Sequence, residues 1–296
     1  SHRFSLIEGP PGTGKTRVVT GIVASFLNNR IMPILVCAEN DQLADILAHR
    51  LTQAKINICR VYPMYFPNDH SNFNSNISLA ERKYGTPFEL DFKQRYRNKT
   101  SMESVLSRQR EVINSANVIC TTCDMLENEL LDKIPKFQTV IIDDSQKVLD
   151  PQLLGVITKQ CEQLILVGDV LGLHHSLYSS ISQESRYDFP LFERLITNGF
   201  KPLFLNESFR SHPQLVDFLS TIFYGGFLTS NSVPETPNLF SKWPNKSIPY
   251  FFWNLPQSKE TVVPYSSGKH GFVNEMEISS ISTLIEAMIK DQIMPQ

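Results

Sequence analysis

The stretch Gly9-Pro10-Pro11-Gly12-Thr13-Gly14-Lys15-Thr16 constrains this chain more than any other. It fits the pattern G-x-x-x-x-G-K-[ST], follows an apolar run, "FSLIEG" (4–9), and opens a segment of helical periodicity. Glycines at this spacing let backbone N–H groups curl around phosphate oxygens, and the helix N-terminus behind them adds a favourable dipole. In such a loop Lys15 reaches the outer phosphates of a nucleotide, and the Thr16 hydroxyl ligates Mg²⁺.

A loop of this kind needs a parallel sheet beneath it, and the rest of the sequence supplies one. "MPILVCA" (32–38), "ANVICTT" (116–122), "TVIIDD" (139–144), "QLILVGD" (163–169) and "KPLFLN" (201–206) each read as buried strands. Near-continuous apolar strands separated by helical segments indicate a parallel sheet covered on both faces. Val18, Val19, Ile22, Val23, Phe26 and Leu27 form a helical stripe after the phosphate loop, and Leu43, Ile46, Leu47 and Leu51 form another. The expectation is a P-loop α/β domain over 1–225 with a polar, partly helical insertion at about 67–115. An irregular, proline-punctuated linker at 226–249 and the incomplete start of a second, similar domain at 250–296 follow. In that last part Asn274 reads as the N-cap of a helix carrying Ile278, Ile281, Ile285 and Ile289.

Composition narrows the function classes. A formal net charge of −2 over 296 residues carries no global basic excess, so contact with nucleic acid has to come from a local patch. Such a patch exists between Arg82 and Arg110, where eight basic residues face three acidic ones. That stretch either meets phosphates or is a solvated arm. The longest apolar runs are strand-sized, which argues against a membrane partner. No signal peptide is visible ahead of the phosphate loop, and Ser1 reads as a cut point. Five cysteines without framework spacing read as reduced, intracellular thiols, and Cys120-x-x-Cys123 reads as a pair of strand-end residues.

The phosphate loop also requires a second acid for the metal, at the end of a later buried strand. "VIIDDSQ" (140–146) offers Asp143 for that place and Asp144 as the group that positions or deprotonates the attacking water.

With these motifs in hand, the chain resembles the superfamily 1B helicases of the senataxin and nonsense-mediated-decay group. "GPPGTGKT", "ILVCAENDQLADIL", "ANVICTTCDML", "VIIDDSQ", "LILVGDVLGL", "LFERL" and "FRSHP" follow one another in that family's order. The resemblance implies two RecA-like domains, ATP and Mg²⁺ as cofactors, and single-stranded nucleic acid, RNA favoured over DNA, as partner. Gly9 through Thr16 would hold the nucleotide, with Thr16 and Asp143 on the metal. Asp144, Arg210 and Lys15 would be catalytic, Arg210 as a cationic clamp on the γ-phosphate unless it serves a structural salt bridge. Thr121 and Thr122 fall where family hydroxyls touch the nucleic-acid backbone, or are plain strand-end hydroxyls. The implied function is an ATP-hydrolysing helicase or translocase; the alternative is a nucleotide-binding scaffold with weakened hydrolysis.

The departures motivate that alternative. Asp144 stands where the family has Glu, leaving its carboxylate about one methylene, roughly 1.5 Å, short. Gly172 stands where a glutamine would sense the γ-phosphate, and His174 and His175 replace prolines. Glu39-Asn40-Asp41 replaces Pro-Ser-Asn, which would set two carboxylates in the path of a phosphate backbone.

Overall fold

The computed structural model describes residues 3–61, 111, 113–127, 131, 134, 136–174, 179, 181, 184–232, 243–248, 250–264, 270–291 and 293. The chain divides into two compact units, Ser1–Arg210 and Ser211–Gln296. Most of the expected insertion lies outside the described residues, as do residues 233–242 and 249 of the expected linker.

In the first unit the elements run β1 (Phe4–Glu8), α1 (Lys15–Asn28), β2 (Ile34–Ala38), α2 (Asp41–Gln53), β3 (Ile58–Arg60), β4 (Val118–Thr122), β5 (Thr139–Ile142), α3 (Asp150–Thr158), β6 (Gln163–Gly168), α4 (Leu191–Thr197), β7 (Leu203–Phe204) and β8 (Glu207–Ser208). The first seven strands form one sheet in the order β3-β4-β2-β5-β6-β1-β7, and each neighbouring pair is parallel. This is the α/β class expected from the sequence. Two apolar layers sandwich the sheet. One face buries Val19, Val23, Leu47 and Leu51 from α1 and α2 against Ile34, Val36, Ile141 and Val167. The other buries Phe137, Leu153, Val156 and Phe192 against Leu35, Val140 and Leu166. Alternate residues of each strand serve opposite layers, the period of two that a pleated strand imposes.

Two differences from the expectation have physical causes. "KPLFLN" yields only the two-residue β7, with both residues exposed, because it pairs with β1 at the edge of the sheet. β3, the opposite edge strand, has just three residues and ends in a charged one, too short for an apolar run to announce it.

The second unit contains α5 (Pro213–Phe223), β9 (Thr229–Ser230), an antiparallel pair of β10 (Thr261–Pro264) and β11 (His270–Val273), and α6 (Glu275–Lys290). Asn274 caps α6 as its position predicts, its Oδ1 accepting from the Glu277 N–H at 3.2 Å. Trp243 packs edge-on to Phe251 with ring centroids 4.7 Å apart and donates its indole N–H to the Ile248 carbonyl. Among the described residues, no helix is long and apolar enough to cross a membrane.

Candidate active site

The sheet order dictates the site. β6 lies between β1, which feeds the phosphate loop, and β5, which ends at Asp143. With strands about 4.8 Å apart, the loop must arch over the end of β6 to meet that acid. It does so through a direct bond, the Gly9 N–H donating to the Gly168 carbonyl at 2.8 Å.

The loop itself is held by its own residues. Gly12 and Gly14 take left-handed backbone angles, φ 81° and 84°, which a Cβ would strain. The Thr13 hydroxyl donates to the Pro10 carbonyl at 2.7 Å and Lys15 Nζ to the Gly9 carbonyl at 2.8 Å. A Cβ on Gly9 would stand 2.7 Å from Lys15 Cγ and 2.8 Å from Thr13 Oγ1, so the cradle closes only around glycine. No side chain caps α1, whose first turn opens on the loop. That arrangement suits an anion.

Thr16 and Asp143 meet across the loop: the hydroxyl donates to the Asp143 carboxylate at 3.0 Å. Asp143 is 7% exposed. Its backbone N–H donates to the Cys37 carbonyl of β2, and its other carboxylate oxygen accepts from the Asp144 N–H at 3.1 Å. Ala38, Leu43, Ile46 and Leu47 line a cleft with Thr16, Asp143 and Asp144. Burial of this kind, then the charge of Asp144, pushes the Asp143 carboxyl up to about 6, against the pull of Thr16 and Lys15. A hydroxyl and a carboxylate, oxygen donors only, fit a small hard cation such as Mg²⁺, whose charge would offset the burial of Asp143.

Asp144 takes a left-handed conformation, φ 51°, at the start of a single 3-10 turn, Ser145–Lys147. Its carboxylate lies 3.8 Å from Lys147 Nζ. The turn is fastened to β6 by the Ser145 hydroxyl, which donates to the Val167 carbonyl at 3.0 Å.

Arg210 is brought to the phosphate loop by the backbone. The Phe209 N–H donates to the Gly12 carbonyl at 2.9 Å, and the Ser208 hydroxyl to the Pro11 carbonyl at 3.3 Å. A Cβ on Gly12 would stand 2.7 Å from Ser208 Oγ and 2.9 Å from Arg210 Cβ. Arg210 is exposed beside the loop. Ser208, buried under it, is a residue the sequence reading missed; its only signal was the glycine opposite.

Thr121 and Thr122 close β4 and are both buried. The Thr121 hydroxyl donates to the Val61 carbonyl at 3.0 Å. In the stretch 39–41 the structure gives Asp41 a partner that spacing hid. Arg60, with its side chain 2% exposed, pairs with Asp41 at 2.8 Å and with Asp45 at 3.0 Å. Asn40 caps α2 through the Leu43 N–H. Asp41 is therefore a paired carboxylate, sharing the single positive charge of Arg60 with Asp45. His174 lies 3.3 Å from Glu193 on α4, and His175 falls outside the described residues. The thiols of Cys37, Cys59, Cys120 and Cys123 are free and buried. Burial holds the Cys59 thiol up at about 11 and the Cys120 thiol at about 12. Among the described residues no cluster of His, Cys, Asp and Glu could hold a further metal ion.

An AAA domain matches residues 1–86 and 80–174, and a second AAA domain matches residues 187–295. A regulator of nonsense transcripts 1 from Caenorhabditis elegans is 30% identical over 313 residues, which cover 99% of this chain and 28% of that protein. The ATP-dependent helicase NAM7 of Saccharomyces cerevisiae is 31% identical over 307 residues, 99% of this chain and 31% of its own. The chain thus spans under a third of the length of these curated relatives. Among solved structures, arterivirus nonstructural protein 10, a helicase in complex with DNA, covers 80% of this chain and 43% of its own at 16% identity, with a TM-score of 0.46.

Proposed function

Because the chain belongs to the superfamily 1 helicase family that the matched AAA domains mark, we propose that it is the ATP-hydrolysing motor part of a helicase or translocase acting on single-stranded RNA. The observation that carries this reading is the Thr16–Asp143 hydrogen bond of 3.0 Å, which joins the phosphate loop to the buried acid across 127 residues of sequence. A nucleotide site needs this convergence, and an ordinary glycine turn does not.

On this reading Gly9 through Thr16 bind the nucleotide, the backbone N–H groups and Lys15 meeting its outer phosphates. Thr16 and Asp143 would hold Mg²⁺, which would supply positive charge to offset that of the phosphates. Asp144 orients the attacking water and takes up its proton. Arg210 places a guanidinium at the phosphate loop, where it stabilises charge that grows in the transition state. Residues 1–225 act as the ATPase domain, 226–249 as a linker and 250–296 as the start of a second RecA-like domain. The relatives are named for nonsense transcripts and for ATP-dependent helicase activity. That supports RNA over DNA; Thr121 and Thr122, buried at the end of β4, fit the reading as strand-end hydroxyls and not as contacts to the strand.

A second reading is favoured by one observation. Asp144 is a short acid in a left-handed turn, with Lys147 beside its carboxylate. The protein would then bind nucleotide, hydrolyse it feebly and serve as an RNA-associated scaffold.

ATP turnover with and without single-stranded RNA tests the first reading, on this chain and on a longer one carrying the complete second domain. Turnover that RNA stimulates and Lys15→Ala abolishes is expected; turnover no higher than the Lys15→Ala control refutes it. Asp144→Glu separates the two readings. A gain of about tenfold, equivalent to about 1.4 kcal/mol of barrier, marks intact but detuned chemistry. No gain, with ATP binding retained, marks the scaffold.

A further inference from the structure

Gln146 stands two residues beyond Asp144, is 4% exposed, and carries its amide into a slot that two glycines open. A Cβ on Gly168 would stand 2.7 Å from Gln146 Oε1, and a Cβ on Gly172 would stand 3.0 Å from Gln146 Nε2. Within the slot, Gln146 Oε1 accepts from the Asp169 N–H at 3.1 Å. Gly168 is also the residue whose carbonyl receives the first N–H of the phosphate loop, from Gly9. A continuous set of short contacts therefore runs from the turn bearing Asp143 and Asp144, through the Gln146 amide and the end of β6, to the phosphate loop. On its other side the same turn is tied to β2 by the Asp143 N–H.

We propose that Gln146 is a positioning residue for the acid pair. Its amide, locked between Gly168 and Gly172, sets where Asp143 and Asp144 stand relative to Lys15 and Thr16. The glycine at 172 has a reason on this account: an amide delivered from the neighbouring turn already fills the space where a side chain at 172 would begin. This inference rests on the ATP-hydrolysis reading of the same site. Displacement of a reacting group by about 1 Å costs about a hundredfold in rate, so a loosened turn acts on chemistry before it acts on binding.

Three variants test it. Gln146→Met fills the slot but cannot accept the Asp169 hydrogen bond, Gln146→Ala empties the slot, and Gly172→Ala presses on the amide. ATP turnover, melting temperature and the Mg²⁺-dependence of binding to a fluorescent ATP analogue are measured for each. Gln146→Met is expected to lower kcat about tenfold or more, with KM for ATP within about threefold and melting within a few degrees of the parent. It should also diminish the gain in nucleotide affinity that Mg²⁺ brings. Gly172→Ala should cost less in the Gln146→Ala background than alone, since the two residues share one contact. Values of kcat within twofold of the parent for both Gln146 variants overturn the proposal, as does a loss that follows melting temperature alone. If the parent hydrolyses no more ATP than Lys15→Ala, the hydrolysis reading falls. The Mg²⁺-dependence of analogue binding then decides on Gln146 by itself, and an unchanged Mg²⁺ gain overturns it.

Discussion

Replacing Asp143 with Asn should stabilise the nucleotide-free protein while abolishing its response to Mg²⁺. Burial and the neighbouring charge of Asp144 hold the Asp143 carboxyl at about 6, against 3.8 for a free side chain. The folded protein therefore keeps a proton that the unfolded chain releases. The contribution of this carboxyl to stability is greatest at or below pH 3.8, falls as pH rises from there through about 6, and stays level above. At pH 8 the ionised carboxylate costs about 3 kcal/mol, and at pH 5 about half of that. Asn has nearly the same shape, can still pair with Thr16, and does not ionise. The expected gain in the metal-free protein is then about 2–3 kcal/mol at pH 8, a rise in melting temperature on the order of 4–12 °C. The assay is thermal unfolding in EDTA at pH 8 and pH 5, repeated with Mg²⁺ and ATP. The gain should halve at pH 5, and only the parent should be stabilised further by adding Mg²⁺ to ATP. An Asn variant less stable than the parent at pH 8, or a gain unchanged between the two pH values, refutes the assignment of Asp143 as a buried carboxylate awaiting a cation.

The other predictions follow from the same geometry. Arg210→Ala should lower kcat about a hundredfold or more in steady-state ATPase assays, with nucleotide affinity measured by titration nearly unchanged, because the cation acts on charge that grows in the transition state. Gly12→Ala should weaken nucleotide binding by at least tenfold in the same titration. Its Cβ would meet Ser208 Oγ at 2.7 Å and Arg210 Cβ at 2.9 Å on a backbone already left-handed. Arg60→Ala leaves Asp41 and Asp45 without their buried partner and should cost about 1–3 kcal/mol, since water reaches the half-exposed Asp41, read as a lowered melting temperature.

Much of the fold was legible because its strands are buried on both faces. Val140, Ile141 and Ile142 are fully buried, as are Leu35 and Val36, so each strand shows as an unbroken apolar run. The phosphate loop was legible because its chemistry admits few residue types at fixed spacing. What stayed hidden depends on pairs distant in sequence. The partner of Asp41 stayed out of sight because Arg60 lies 19 residues on, at the end of a strand too short to recognise. Gln146 looked like one polar residue among several, because the glycines that give it a place belong to another strand and its exit loop. Leu203 and Phe204 misled in the opposite sense, since apolar side chains on an edge strand need not be covered.

The clamp at Arg60 has a consequence for how the chain leaves the sheet and returns to it. Beyond β3, Val61 donates its N–H to the Cys120 carbonyl, and its own carbonyl accepts from both the Thr121 hydroxyl and the Arg60 guanidinium. On the far side, Ile113 is already buried in the core before β4 begins. The exit and the re-entry are each anchored to the sheet by contacts of their own. Val61 and Ile113 are thus fixed points of the sheet and its core, and neither is held through the loop Gly9–Thr16 or through Asp143.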